Sequence, residues 1–240
     1  MKLDYSELIS PFPVYMERIG HVKSPTLREI WAPETTWNTY QMYLGLLLMT
    51  PQAYGCEESI SIFDLICSDT RLQKSYTAMF DFFLEENVLW DGNSQLFFTY
   101  NETDENHQIV PVGIICSDNF SELCDIILQK CGVERRDYDV DISTVKNRRA
   151  REILTNIQKG RKSASGKPKH DKNLELPNLI TAVAVKSNSV NFTNIWDLTI
   201  YQFHEQFKKE QTGVYFDIQK MSVAAYGNTK NTFKGNEWYC

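Results

Sequence analysis

Long apolar runs are missing from this sequence. The longest, YLGLLLM from Tyr43 to Met49, has seven residues, whereas a helix that crosses a bilayer needs about 20. The chain opens on MKLDYSELIS, which lacks the apolar segment of a signal peptide. We therefore expect a cytoplasmic protein without membrane contacts. In that compartment the six cysteines are expected to stay reduced.

Motifs of catalysis and of metal binding are missing as well. The four histidines are scattered without HExxH spacing, and no GxSxG, Walker-type or GxGxxG pattern occurs. Cys124 and Cys131 only share one face of a predicted helix. The acidic run DYDVDIST has Ile142 where a calcium loop needs glycine and Arg148 where it needs glutamate. We predict no enzyme, no cofactor and no metal site.

Positive charge is scarce outside one block of the chain. Residues 146–173 contain ten of the 25 Lys and Arg residues but only two of the 31 Asp and Glu residues. The block therefore has a net charge of +8, and the other 212 residues have −14. Such a block either contacts nucleic-acid phosphates or is a solvated, charge-balancing linker, and both interpretations stay open. Its candidate contact residues are Lys146, Arg148, Arg149, Arg151, Lys159, Arg161 and Lys162.

The apolar spacing in the first half predicts helices around a small sheet. In SPTLRE, Ser24 is expected to cap a helix that has Pro25 in its first turn. TTWNTYQMYLGLLLM predicts a largely buried helix, and TRLQKSYTAMFDFFLEEN predicts a second helix with one apolar stripe. The stripe consists of Leu72, Tyr76, Met79, Phe80 and Phe83. The fold class is therefore α+β, predominantly α-helical.

A three-stranded region and another helix complete this half. VLWDGNSQLFFTY predicts a β-hairpin that turns at residues 91–93. HQIVPVGII predicts a third strand at a sheet edge, because Pro111 has no backbone N–H to donate. DNFSELCDIILQKCG predicts a helix that Asp118 caps and that ends at Gly132.

The C-terminal part predicts a helical module. ELPNLITAVAVKSN reads as a helix that starts at Pro177. In LTIYQFHEQFKKEQ, Thr199 and Gln202 have the spacing of a capping box. Gly213 is interpreted as a turn into a further helix that ends at Gly227, so that the last two helices form an antiparallel hairpin.

These patterns divide the chain into three parts. Residues 1–135 are predicted to form a mainly helical domain with a small antiparallel hairpin or sheet, and residues 174–240 a helical module. Residues 136–173 are predicted to be a basic helix and a flexible linker, since the second half of this part has no large apolar residue. Trypsin should therefore cut first between Arg161 and Lys172.

Four sequence blocks suggest a family. They are IGHVKSPTLREI, RRAREILTNIQKGRK, ELPNLITAVA and NIWDLTIYQFHEQFKKEQTGVYFDIQKMSVAAYGN. Their order resembles that in tail assembly chaperone-type proteins of tailed phages and prophages of Gram-positive bacteria. The resemblance implies a non-catalytic virion-assembly protein of the bacterial host cytoplasm, which binds the tape measure protein or another tail protein and helps tail-tube subunits assemble around it.

Two alternatives remain beside this resemblance. Residues 88–115, which contain the predicted strands, have no counterpart in the chaperone class, so a structural tail or baseplate component is the first alternative. The second is a nucleic-acid-binding protein that uses the basic block, residues 146–172.

The candidate partner-binding surface lies in the C-terminal module. Its short helices cannot bury every aromatic side chain against each other, so some are expected to stay exposed for a partner. The alternative is that these side chains pack on the first domain or on a second copy of the chain, which would make the protein self-associate. The candidates are Trp196, Tyr201, Phe207, Tyr215 and Tyr226.

Overall fold

The computed structural model of the chain describes residues 1–54, 60–102, 109–133, 175–228 and 233–235. Within these ranges there are eight α-helices and five β-strands. The helices are α1 (Tyr5–Ile9), α2 (Leu27–Ile30), α3 (Trp37–Leu47), α4 (Ile62–Ser68), α5 (Thr70–Phe83), α6 (Ser117–Lys130), α7 (Leu176–Lys186) and α8 (Ile200–Tyr226). The strands are β1 (Val14–Met16), β2 (Gly20–Val22), β3 (Asn87–Asp91), β4 (Leu96–Glu102) and β5 (Ile109–Ile115). The predicted α+β, mainly helical fold is confirmed.

The basic block falls outside the described residues. The predicted basic helix and linker, residues 136–173, belong to the range 134–174 that the structure does not describe. The seven candidate contact residues from Lys146 to Lys162 lie there too, so their role stays a prediction.

The first hairpin leads into α2, whose cap differs from the prediction. β1 and β2 pair antiparallel, and α2 begins after Thr26 rather than after Ser24. Thr26 Oγ1 accepts a hydrogen bond from Glu29 N at 3.2 Å, and Glu29 Oε2 accepts one from Thr26 N at 2.7 Å. Ser24 is buried and donates its hydroxyl to the Lys130 carbonyl at 2.7 Å. Ser24, which the local sequence predicts as the helix cap, therefore makes a tertiary hydrogen bond instead.

Helices α3 and α5 build the aromatic centre of the core. Tyr40 of α3 is buried between the rings of Trp37 and Phe83. Tyr76 of α5 donates its hydroxyl to the Leu46 carbonyl at 2.8 Å, which satisfies the polar end of a buried ring. All five residues of the stripe predicted for α5 are buried. The apolar period was therefore a sufficient signal for this helix.

The three strands β3, β4 and β5 form one antiparallel sheet in that order, so β5 is an edge strand as predicted. The hairpin between β3 and β4 is also confirmed. Its turn differs: the Asp91 carboxylate accepts hydrogen bonds from Asn93 N and Ser94 N, both at 3.1 Å. A tight turn at residues 91–93 would give those residues positive φ angles. In the structure Gln95 has the positive φ, 54°, and residues 91–93 do not.

The first hairpin is joined to this sheet through its tip. Ile114 N of β5 donates to the Arg18 carbonyl at 2.8 Å, and Thr99 Oγ1 of β4 donates to the Ile19 carbonyl at 2.6 Å. Arg18 has a φ of 65°, and its carbonyl lies where a Cβ on Gly113 would be. Glycine at position 113 therefore permits this close approach of two backbones.

Helix α6 closes the first half of the core. It starts at Ser117, where the Asn119 side chain accepts from Cys116 N at 2.8 Å, so Asp118 is not the cap. Its end at Gly132, with a φ of 69°, agrees with the prediction. The buried Lys130 ammonium donates to three carbonyls of the N-terminal segment, and burial lowers its pKa. The three acceptors are the carbonyls of Glu7, Ser10 and Phe12.

Helix α8 is one continuous helix of 27 residues, so the predicted turn at Gly213 and the antiparallel hairpin are wrong. A glycine inside a helix costs only about 1 kcal/mol relative to alanine. Phe207, Val214 and Ile218 continue the helical spacing of apolar residues across position 213. That pattern favours one helix, while the glycine alone was ambiguous. The predicted end at Gly227 is confirmed.

The start of α8 is built into the same core as the first half. Ile200 N donates to the Pro25 carbonyl at 2.8 Å, and Leu27 N donates to the Leu198 carbonyl at 2.9 Å. Residues of α7 and of the first turns of α8 belong to one buried cluster with those of α3, α5 and α6. The domain boundaries at 135 and 174 stay a prediction. None of the described helices is long and apolar enough to cross a membrane.

Candidate protein-binding surface on α8

The first turns of α8 are fixed firmly to the body of the protein. Thr199 Oγ1 accepts from Gln202 N at 3.2 Å and Gln202 Oε1 accepts from Thr199 N at 3.1 Å, which is the predicted capping box. Gln202 Nε2 also donates to the Ile9 carbonyl at 2.9 Å. Ile200 and Phe203 are 1% and 0% exposed. The base of α8 is therefore an integral part of the fold.

Helix α7 accompanies the first half of α8 only. Gln206 Nε2 donates to Ser187 Oγ, just beyond the end of α7, at 3.3 Å. Val183 and Lys186 of α7 line a shallow groove of about 390 Å³ together with residues of α8. The α8 residues of that groove are Phe207, Glu210, Gln211, Val214, Tyr215 and Ile218. The groove lies at the end of α7, and α8 continues for about two turns beyond Ile218, the last residue that lines it.

An apolar stripe without a covering element follows along this second half of α8. Val214, Ile218, Met221 and Ala225 recur at spacings of four, three and four residues, which places them on one side of a helix. We call these four residues the α8 stripe. Val214, Ile218 and Met221 are 40%, 56% and 65% exposed. Tyr215 flanks the stripe and is 64% exposed.

The opposite side of the same helix segment is covered. The rings of Phe216 and Phe233 lie 5.2 Å apart. Asn228 and Phe233 exchange two hydrogen bonds, from Asn228 Nδ2 to the Phe233 carbonyl at 3.1 Å and from Phe233 N to Asn228 Oδ1 at 3.3 Å. Phe233 therefore packs on the Phe216 side, and the described residues leave the α8 stripe open.

The five aromatic residues predicted from the sequence occupy three environments. Trp196 is half-buried and stands edge-on to Trp31 at 6.1 Å, so it joins the body of the protein. Tyr201 and Phe207 are half-buried as well, and Phe207 lies in the groove beside α7. Tyr215 and Tyr226 are exposed, at 64% and 83%. The structure thus brings Phe207 and Tyr215 to one groove, and a binding role for these residues stays a prediction.

The sequence reasoning missed the most apolar part of this surface. The predicted hairpin has Ile218 and Met221 on a second helix that follows a turn at Gly213, and it gives Val214 no place in a helix. The signal that could have found them is their spacing from Phe207, which is seven, eleven and fourteen residues. Only a helix that continues through Gly213 places all of them on one side.

The described cysteines and the possible metal ligands were compared with reactive thiols and metal sites. Burial raises the pKa of Cys131 to about 12, so its thiol is neutral at pH 7, in contrast to the low pKa of a nucleophilic cysteine. The four cysteines among the described residues are free thiols. Within the same ranges no three His, Cys, Asp or Glu residues come together as a metal site would require.

Comparison with known proteins concerns the region that contains α7 and α8. Residues 167–240 match the family model of the YomV second domain. The chain is similar to a prophage-type domain. This match, over less than half of the chain, supports a phage origin. No curated protein and no solved structure matches the chain.

Proposed function

We propose that this protein is a non-catalytic phage virion-assembly protein, namely a tail assembly chaperone that binds the tape measure protein of the tail through the α8 stripe. The observation that carries the proposal is an apolar helix face that the rest of the described chain leaves uncovered. Its position inside the region similar to a prophage-type domain agrees with a role in virion assembly.

The shape of the surface favours a helical partner. The groove between the end of α7 and the α8 stripe is shallow and apolar, and an amphipathic helix fills such a groove with side chains at i, i+3, i+4 and i+7. In the class that the sequence resembles, the tape measure protein is long and helical and the chaperone keeps it soluble. An apolar stripe on α8 could do so by covering an apolar face of such a helix.

The expected strength suits temporary binding. Complete burial of an exposed Ile or Met side chain is worth about 1.5–3 kcal/mol. Ile218 and Met221 are already partly covered, so each adds about 1–2 kcal/mol. A few such contacts, reduced by the cost of association, give a reversible complex. Reversibility is needed because tube subunits must later replace the chaperone.

Co-expression of the full chain with helical segments of the tape measure protein tests this proposal. We expect the full chain to keep these segments soluble and to be recovered with them in a pull-down. Ile218→Glu should abolish recovery, because it places a charge in the stripe. Gln219→Glu is the matched control, since it adds the same charge at the next residue, on another side of the helix. Equal loss with both variants, or no recovery with the native chain, would reject the proposal.

The two alternatives give different outcomes. A structural tail or baseplate component would remain in purified virions, whereas a chaperone would be absent from them. A nucleic-acid-binding protein would retain duplex or single strands at moderate salt, and glutamate in place of Arg148, Arg149 and Arg151 would abolish retention. This alternative has the +8 charge of the basic block in its favour.

A further inference from the structure

The α8 stripe has a symmetry of its own. We propose that it pairs with the α8 stripe of a second copy of this chain, in antiparallel orientation about a two-fold axis between residues 219 and 220. The spacings four, three and four read the same in both directions. Such an axis therefore places Val214 opposite Ala225 of the second copy, and Ile218 opposite its Met221. No stripe residue is left without an apolar counterpart.

The axis lies close to the end of the groove beside α7. The groove that α8 shares with α7 extends to Ile218, and α8 ends at Tyr226. At about 1.5 Å per residue the stripe from Val214 to Ala225 is about 17 Å long. Antiparallel overlap of two such stripes keeps the two bodies at opposite ends of the pair.

Charge does not oppose the pairing. The four stripe positions are uncharged. The charged residues between Val214 and Ala225 are Asp217 and Lys220, and both line a cleft with Phe233. In this register a charge at any stripe position would be buried against an apolar residue of the second copy, which is costly. Its absence makes the surface compatible with itself.

The exposed area is sufficient for a weak dimer. Tyr215, Tyr226 and the three large stripe residues are 40–83% exposed. A tyrosine side chain can bury about 150–250 Å². We therefore expect the five side chains to provide on the order of 500 Å² per copy, close to the lower limit of about 1,000 Å² in total for a specific interface. An interface at this lower limit is typical of weak, transient contacts, so we expect reversible association.

This inference concerns the purified chain alone. Self-pairing can therefore fail while the proposed partner binding holds, and partner binding can fail while self-pairing holds. If both hold, the second copy covers the stripe until a partner helix replaces it. Before the partner binds, the protein would then be a dimer in which the α8 stripe is buried.

Sedimentation velocity of the full chain over concentrations of about 1–200 µM tests the pairing. The mass is expected to rise from that of one chain to that of two. Ile218→Glu and Met221→Glu should weaken association at least tenfold, whereas Gln219→Glu should leave it unchanged. Far-UV circular dichroism of each variant confirms that α8 is retained. A native chain that stays monomeric throughout, or equal weakening by Gln219→Glu, overturns the proposal.

The register has a separate test that uses two variants together. Val214→Glu and Ala225→Lys should each weaken association, because each places two charges in the interface. Mixing the two variants should restore it, because the antiparallel register brings the introduced glutamate of one chain opposite the introduced lysine of the other. A parallel pair would place identical positions opposite each other, so mixing would not restore association. Failure of the mixture to associate more tightly than either variant overturns the antiparallel pairing.

Discussion

Gly213 distinguishes one continuous α8 from two helices joined by a turn, because alanine at this position has opposite effects in the two cases. Its φ is not positive, and a Cβ at position 213 would meet nothing within 4 Å. Alanine fits there without strain and removes backbone freedom from the unfolded chain. In a turn with positive φ, the same substitution would introduce strain. Stabilisation by Gly213→Ala would therefore indicate a continuous helix, and destabilisation would indicate a turn.

The expected gain follows from helix propensity. Glycine is about 0.8–1.0 kcal/mol less favourable than alanine in a helix interior. Since no contact of a new Cβ adds to or subtracts from this value, we expect Gly213→Ala to stabilise α8 by about 1 kcal/mol. That corresponds to about fivefold slower hydrogen exchange of the amides between residues 209 and 226. If α8 unfolds with the rest of the chain, the midpoint of thermal unfolding should rise by about 2–4 °C.

Hydrogen exchange followed by mass spectrometry is the assay, with two control variants. Gly45 lies inside α3, where a Cβ would also meet nothing within 4 Å, so Gly45→Ala should stabilise in the same way. Gly227, just beyond α8, has a φ of 77°, so Gly227→Ala should destabilise the helix end. Faster exchange in Gly213→Ala, in the direction of the Gly227 control, would refute a continuous α8.

Three further variants test the packing of α8, the close approach at the sheet and the cap of α2. Phe203→Ala removes a fully buried ring and should lower the free energy of unfolding by about 3–5 kcal/mol, measured by urea denaturation; a loss below about 1 kcal/mol would contradict the burial. Gly113→Ala should cost about 1–3 kcal/mol, since its Cβ would overlap the Arg18 carbonyl, and an unchanged midpoint would contradict that approach. Burial raises the pKa of Glu29, but hydrogen bonds from Thr26 and attraction to Lys23 outweigh it, so the pKa lies below 4.5. The ionised carboxylate therefore stabilises the fold above pH 4.5, and this contribution is lost as the pH falls through the lowered pKa. Glu29→Gln should accordingly be less stable than the native chain near neutral pH and approach it in acid, and a constant difference would exclude this role.

Local signals were sufficient for most of the elements. The capping box of Thr199 and Gln202 and the hairpin between β3 and β4 consist of contacts between residues close in sequence. The apolar spacing of α5 likewise specifies a helix locally, although the buried partners of its stripe come from other elements. Pro111 likewise restricts its strand to an edge by its own missing N–H. The sequence alone thus determined the fold class and the kind of element at each of these places.

Tertiary contacts decided the points at which two local choices had similar free energies. Ser24 and Thr26 can both cap a helix, and the Lys130 carbonyl, more than a hundred residues away, selects Ser24 for another bond. Gly213 can end a helix or lie inside one, at a difference of only about 1 kcal/mol. The packing of Trp196 against Trp31 and the length of α7 determine which of the predicted aromatic residues stay exposed. The apolar period of α8 is a property of the sequence. Its exposure depends on tertiary structure, because α7 ends before α8 does and Phe233 packs on the other side of the helix.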